Sequence, residues 1–220
     1  KHSAKDLIDH ASRHNFNVLS ITCHNKIVFS KPLQEYAEQK NILLIPGVEM
    51  DIENRHVLLY NFVEKEIEKI KTLNDLRRIK KSNHLVIAPH PYYVHLNPFE
   101  PRQISLFSRL DKNIDVFDAI EFCHLYTRRL NMSNKKAVKI AGKYKLPLVA
   151  GSDLHHLSHM GTNFSFVDAD KNINSIFTAI KNNKIKISSR PRNSLELTKM
   201  LAFFAKGSIK KKVFNSLNIV

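Results

Sequence analysis

The sequence predicts an α/β fold, a single domain of βα repeats on a mostly parallel sheet, and three observations predict it. Short β-branched or apolar runs alternate with segments of helical period, as expected where strands are joined through helices. With 220 residues and 43% hydrophobic content, the chain is long enough to bury one sizeable core. Its longest apolar stretches, residues 42–45 and 57–60, fall far short of the ~18 residues of a membrane span.

Taken in order, residues 4–14 place Leu7, Ile8 and Ala11 on one helical face behind Ser3 as N-cap. Residues 18–22 read as a strand, 33–39 as a helix and 42–48 as a strand that tolerates Pro46 near its end. A further strand covers 56–62. Residues 64–81 are highly charged, with Ile67, Ile70, Leu73, Leu76 and Ile79 at intervals of three, which predicts one amphipathic helix. A buried strand over 85–88 precedes a proline-rich loop holding Pro89, Pro91, Pro98 and Pro101, then a helix near 104–110. A strand at 119–122, a helix at 134–144 and a strand at 146–150 follow. One more strand at 164–167 and helices near 173–181 and 194–206 complete the reading.

Charge is unevenly spread. The net charge is +15, and residues 171–220 hold eleven Lys and Arg against the single acid Glu196. Such a segment attracts polyanions, or is simply a solvated basic face. Two cysteines, Cys23 and Cys123, cannot build a disulfide framework and form no CxxC pair, which points to a reducing, cytoplasmic setting.

Metal-ligand side chains recur where strands end or begin. The strand at 18–22 runs into Cys23 and His24, that at 42–48 into Glu49, and His56 stands at the mouth of its own. Further on, 85–88 leads to His90, 119–120 to Glu121 and His124, and 146–150 to Asp153 and His155. In a closed parallel sheet the strand C-termini converge on one face, so residues far apart in sequence meet there. Any one of these histidines alone would read as a hydrogen-bonded core or loop residue; the recurrence argues for a site. Imidazole and carboxylate together suit zinc, manganese or iron, and more than four ligands implies two or three ions. Asp153 and His155, two apart in extended chain, point to the same side.

With their neighbours these segments resemble the polymerase-and-histidinol-phosphatase (PHP) family. Ile21-Thr22-Cys23-His24-Asn25 is similar to its ITDHN motif, Ile45-Pro46-Gly47-Val48-Glu49-Met50 to IPGVEI, and His56-Val57-Leu58-Leu59 to its HILG-type strand. Ala88-Pro89-His90-Pro91 resembles its AHP segment, Ile120-Glu121-Phe122 its IEV strand, and Gly151-Ser152-Asp153-Leu154-His155 its GSDAH, with Gly161 beyond. The resemblance spans about residues 4–165.

It implies a distorted (β/α)7 barrel over residues 1–190, with a basic helical extension over 191–220. It also implies a cluster of two or three divalent ions at the mouth. His24, Glu49, His90, Asp153 and His155 match metal-ligating positions, and His56 matches a ligand or phosphate contact, so Asp153 and His56 are the expected catalytic residues. His124, His156 and His159 fall outside the matched positions and read as polar loop residues. Two departures accompany the match. The family's opening HxH motif has no counterpart, which implies an amino-terminally truncated domain. Cys23 stands where the motif has Asp, and a thiolate there binds zinc or weakens the site.

No GxxxxGK[ST] loop, HExxH or GxSxG occurs, and five glycines leave little room for a dinucleotide cradle. Two functions then compete. In one, metal-activated water hydrolyses a phosphate ester (a small monoester, a nucleotide or a nucleic-acid end), with Arg128 and Arg129 as phosphate contacts. In the other, a weakened module binds DNA or RNA through its basic carboxy-terminal segment.

Overall fold

The run Leu43–Ile52 forms the longest strand, and every other part of the site is placed relative to it. The computed structural model describes residues 2–92, 110–154, 156–193, 195–199 and 202. One sheet holds β1 (Val18–Cys23), β2 (Lys26–Ile27), β3 (Leu43–Ile52), β4 (Arg55–Tyr60), β5 (Leu85–Ala88), β6 (Ala119–Glu121) and β7 (Leu148–Val149), in the order β2-β1-β3-β4-β5-β6-β7. A separate antiparallel pair, β8 (Asn163–Val167) and β9 (Ile185–Ser189), follows. The helices are α1 (Ala4–Arg13), α2 (Lys31–Gln39), α3 (Glu64–Ile67), α4 (Leu73–Ile79), α5 (Met132–Tyr144) and α6 (Ile173–Lys181).

The sheet is mixed, not mostly parallel. β1 with β3, β5 with β6 and β6 with β7 are parallel, whereas β1 with β2, β3 with β4 and β4 with β5 run antiparallel. The reversal at β4 has a local cause. Glu53 and Asn54 both take positive φ, 50° and 60°, the geometry of a two-residue hairpin turn, and so short a link cannot cross over to a parallel strand. No pairing among the described residues joins β2 to β7, so the architecture shown is a seven-stranded mixed sheet.

The single helix expected over 64–81 is two helices. Thr72 starts the second: its hydroxyl accepts from the Asp75 N–H at 3.1 Å, and the Asp75 carboxylate accepts from the Thr72 N–H at 2.9 Å. This capping box interrupts the chain, while Ile70 in the gap stays buried. The spacing of three therefore reported the buried face correctly and the continuity wrongly. The helix expected near 104–110 falls almost wholly outside the described residues, and the one at 194–206 is helical over 195–199. β2 and β9 were not expected; each is short or half-buried, with little apolar alternation to read.

The two faces of the sheet are covered differently. Val48, Met50, Val57, Leu59 and Val86 pack with residues of α3, α4 and α5 such as Leu73, Leu76 and Ala137. On the opposite face Ile45, Leu58, Ile87, Ala119 and Val149 meet Ile176, Phe177 and Ile180 of α6. Burying three such side chains stabilises by roughly 1.5–3 kcal/mol each. Helices α1 and α2 form a third cluster, in which Ile8, Ala11 and Ala37 pack on Ile21 and Leu44.

Alternation along β3 places Glu49 and Asp51 on the same face as Ile45. The register Gly47↔Tyr60 and Asp51↔His56 then separates the two ends of that face. Apolar residues under α6 occupy the end where β3 begins, and carboxylates with imidazoles occupy the end where it finishes.

Candidate metal centre

Five strands deliver side chains to this polar end. β3 supplies Glu49 and Asp51. β4, running the other way, presents His56 from its first turn of chain, directly opposite Asp51. His24 follows β1 and bridges in parallel to Glu49, with the Asn25 N–H donating to the Glu49 carbonyl at 2.8 Å. His90 follows β5, and Glu121 ends β6.

Close approach of β1 and β3 depends on Gly47. A Cβ there would lie 2.2 Å from Ser20 Oγ, 3.0 Å from Thr22 Cγ2 and 3.2 Å from Tyr60 Cδ1. Backbone strain also collects here: His90 and Asp153 take φ of 27° and 41°, a region that non-glycine residues avoid at a cost of order 1–3 kcal/mol each. Part of what holds His90 in place is its N–H, which donates to Glu121 Oε2 at 2.8 Å. Asn25, at φ 52°, is pinned by Asp51, whose carboxylate accepts from Asn25 Nδ2 at 2.7 Å and whose N–H donates to Asn25 Oδ1 at 2.9 Å.

Glu49 is the hub. Its carboxylate lies 2.9 Å from His56 Nδ1, 3.5 Å from His90 Nε2 and 3.7 Å from His24 Nε2. The other ring nitrogen of His56 lies 3.1 Å from Asp51 Oδ1. Access is graded, because Glu49 is only 7% exposed whereas the His24 side chain is 53% exposed.

Burial alone would raise the Glu49 pKa, but hydrogen bonds and charge from His56 and His90 outweigh it and hold the carboxyl well below its usual range. Burial would likewise depress His90, yet the bond to Glu49 and the charges of Glu121 and Asp153 raise it to about 9. Glu121 is pushed up to about 8, first by burial, with Asp153 and Glu49 adding and His90 opposing. The result is a crowd of carboxylates held together by a protonated imidazole, a position that a divalent cation can take over.

Two sets of ligand atoms lie within 4.8 Å of one another: Glu49, His56 and His90, and His24, Asp51 and His56. Both need His56. A neutral imidazole offers one lone pair, so His56 serves one set at a time.

Of the residues expected from sequence, His24, Glu49, His56 and His90 are brought together in these sets, and Asp153 stands within electrostatic reach of His90 and Glu121. Cys23 is exposed on the β1–β2 hairpin, belongs to neither set, and by alternation points to the face opposite Thr22 and His24. Arg128 and Arg129 are exposed in the turn after β6, outside both sets. His155 lies outside the described residues, as does the basic tail from 203. Asp51 was missed although the signal was present, since a residue two positions after Glu49 in a strand shares its face.

A family model described as PHP-associated matches residues 131–185, which run from the residue before α5 to the first residue of β9. No curated protein matches the chain significantly. Among solved structures, PsfC from Pseudomonas syringae PB-5123 is similar in fold, with a TM-score of 0.59 at 15% identity over 91% of this chain and 88% of that one. A protein from Bifidobacterium adolescentis ATCC 15703, provisionally named a metal-dependent phosphoesterase, aligns with a TM-score of 0.48 at 13% identity, over 71% of this chain and 83% of that one. No helix among the described residues is long and apolar enough to cross a membrane. The PHP-associated match covers residues 131–185, and the ordered motifs at the strand ends resemble the same family.

Proposed function

We propose that the chain holds divalent metal ions at the polar end of the sheet and hydrolyses phosphate esters there. The observation that carries this reading is the buried Glu49 carboxylate set among three imidazoles, 2.9, 3.5 and 3.7 Å away. A mixed nitrogen and oxygen donor set of this kind fits zinc, manganese or iron.

Glu49, His24 and His90 act as ligands in this reading, with Asp153 and His155 completing the set. His56 is held by Glu49 on one ring nitrogen and by Asp51 on the other, which fixes the ring for ligation or for contact with the phosphoryl group. Burial raises the pKa of Glu121, and its carboxyl group fixes the His90 backbone by accepting from its N–H. Bound at these ligands, divalent ions supply a hydroxide nucleophile at neutral pH and neutralise phosphoryl charge. The seven-stranded sheet is read as the greater part of a distorted barrel whose mouth is this site. Small monoesters, nucleotides and nucleic-acid ends are the substrate classes to compare.

Hydrolysis of an aryl phosphate by the full-length, metal-supplemented protein tests the proposal, with His90→Ala and Asp153→Ala as controls. Activity that both substitutions abolish supports it. Activity unchanged in both, or none in the metal-loaded parent, contradicts it.

A further inference from the structure

Arg192 stands just beyond β9 and is only 3% exposed. Its backbone N–H donates to the Tyr126 carbonyl at 2.9 Å, drawing the segment after β9 against the loop that follows β6. Two of its guanidinium nitrogens, Nε and Nη2, are buried without a hydrogen-bond partner among the described residues. The acid nearest in sequence is already engaged: Glu196 accepts from Arg190 Nη2 at 2.9 Å and Nη1 at 3.2 Å, and from the Asn193 N–H at 3.0 Å.

A buried cation with two orphan donors is costly, and a fold retains one where something else completes it. A guanidinium presents its Nε and Nη2 as a planar fork that matches two oxygens of a tetrahedral anion. The location is informative too. The buried Cys123 thiol feels the charge of Arg192 and also those of Glu121 and Asp153, so the loop after β6 adjoins both the fork and the candidate centre. That loop is rigid. The Asn134 side chain bonds both the N–H and the carbonyl of Cys123, at 2.8 and 3.0 Å, and Asn163 Nδ2 donates to the carbonyls of Phe122 and Gly151, at 2.9 and 2.7 Å.

We propose that Arg192 is a phosphate-binding residue, gripping two oxygens of the substrate's phosphate group through Nε and Nη2. It takes the role that the exposed Arg128 and Arg129 had in the sequence reading. That the anion belongs to a substrate rests on the phosphoesterase proposal; the anion site itself does not.

Calorimetric titration of the full-length protein with inorganic phosphate tests it, using the parent, Arg192→Lys and Arg192→Met. Phosphate should bind the parent, weaken at least roughly tenfold in Arg192→Met and several-fold in Arg192→Lys, because an ammonium cannot reproduce the fork. Metal content should stay unchanged, and KM for an aryl phosphate should rise more than kcat falls. Should either variant fail to fold, tungstate soaked into crystals of the unsubstituted protein gives the answer by anomalous scattering, with a peak expected within hydrogen-bond distance of both nitrogens. Phosphate affinity unchanged in both variants, no phosphate binding by the parent, or tungstate seated elsewhere would overturn the proposal. The two readings fail separately. A metal-free, inactive parent that still binds phosphate through Arg192 sinks the enzyme and keeps the anion site, whereas an active metalloenzyme indifferent to Arg192 sinks the anion site alone.

Discussion

Glu49 Oε1 lies 2.9 Å from His56 Nδ1, although the two residues sit on strands running in opposite directions. The contact exists because the Glu53–Asn54 turn folds β4 back on β3 and returns the start of β4 to the end where Glu49 lies. The same carboxylate reaches His90 and His24 from two further strand ends, so one buried side chain couples three strands and the β1 hairpin.

Protonation of this cluster predicts how it takes up metal. His90, raised to about 9, carries a proton at neutral pH that a metal ion must displace. Metal affinity should therefore rise with pH toward 9, with proton release. Calorimetry in buffers of different ionisation enthalpy measures the protons released per ion. A release of none between pH 6 and 8 would contradict the assignment of His90 as a ligand.

Stability of the metal-free protein follows with the opposite sign. His90 is raised from 6.5 to about 9, and Glu121 from 4.5 to about 8, so what each contributes is complete below the lower value and lost as pH rises through the upper one. Glu49 is depressed below 4.5, so its contribution is present above that value and lost on acidification. Chelated protein should melt at a lower temperature at pH 9 than at pH 6, and lower again below pH 4. A melting temperature still rising between pH 6 and 9 would show that the cluster does not hold its protons as described.

Gly47→Ala should destabilise by about 1–3 kcal/mol, because a Cβ would meet Ser20, Thr22 and Tyr60 together. Ser20→Ala removes the closest of these atoms, so the double variant should recover part of the loss. Urea unfolding of the two single variants and the double gives the coupling, and a value of zero would deny the contact.

The fold and the site were legible in the sequence to different depths. Strand ends rich in His, Asp and Glu located the polar end of the sheet, because a side chain that closes an apolar run has few places to go. Asp51 could have been found by alternation from Glu49. What pattern could not supply was direction: only the paired positive φ of Glu53 and Asn54 makes β4 antiparallel, and Glu-Asn is a weaker hairpin signal than Asn-Gly. Arg192 was hidden for another reason. In the sequence it is one of many basic residues near the carboxy-terminal end, and only its burial separates it from Arg190, two positions earlier and paired with Glu196.

Asn134→Ala should cost at least ~2 kcal/mol, since it strips partners from two buried backbone groups of Cys123 at once. It should also loosen the loop carrying Tyr126, to which Arg192 is tied. Hydrogen exchange at the Cys123 amide reads this locally, and protection equal to the parent's would contradict it.

The most direct test of the central claim is metal content, measured by mass spectrometry after reconstitution and dialysis, in the full-length protein and in Glu49→Gln. At least one tightly held divalent ion per chain is expected in the parent, and its loss is expected in the variant, which keeps the shape of the side chain and removes its charge. A parent that retains no metal, or a Glu49→Gln protein that retains as much as the parent, would contradict it.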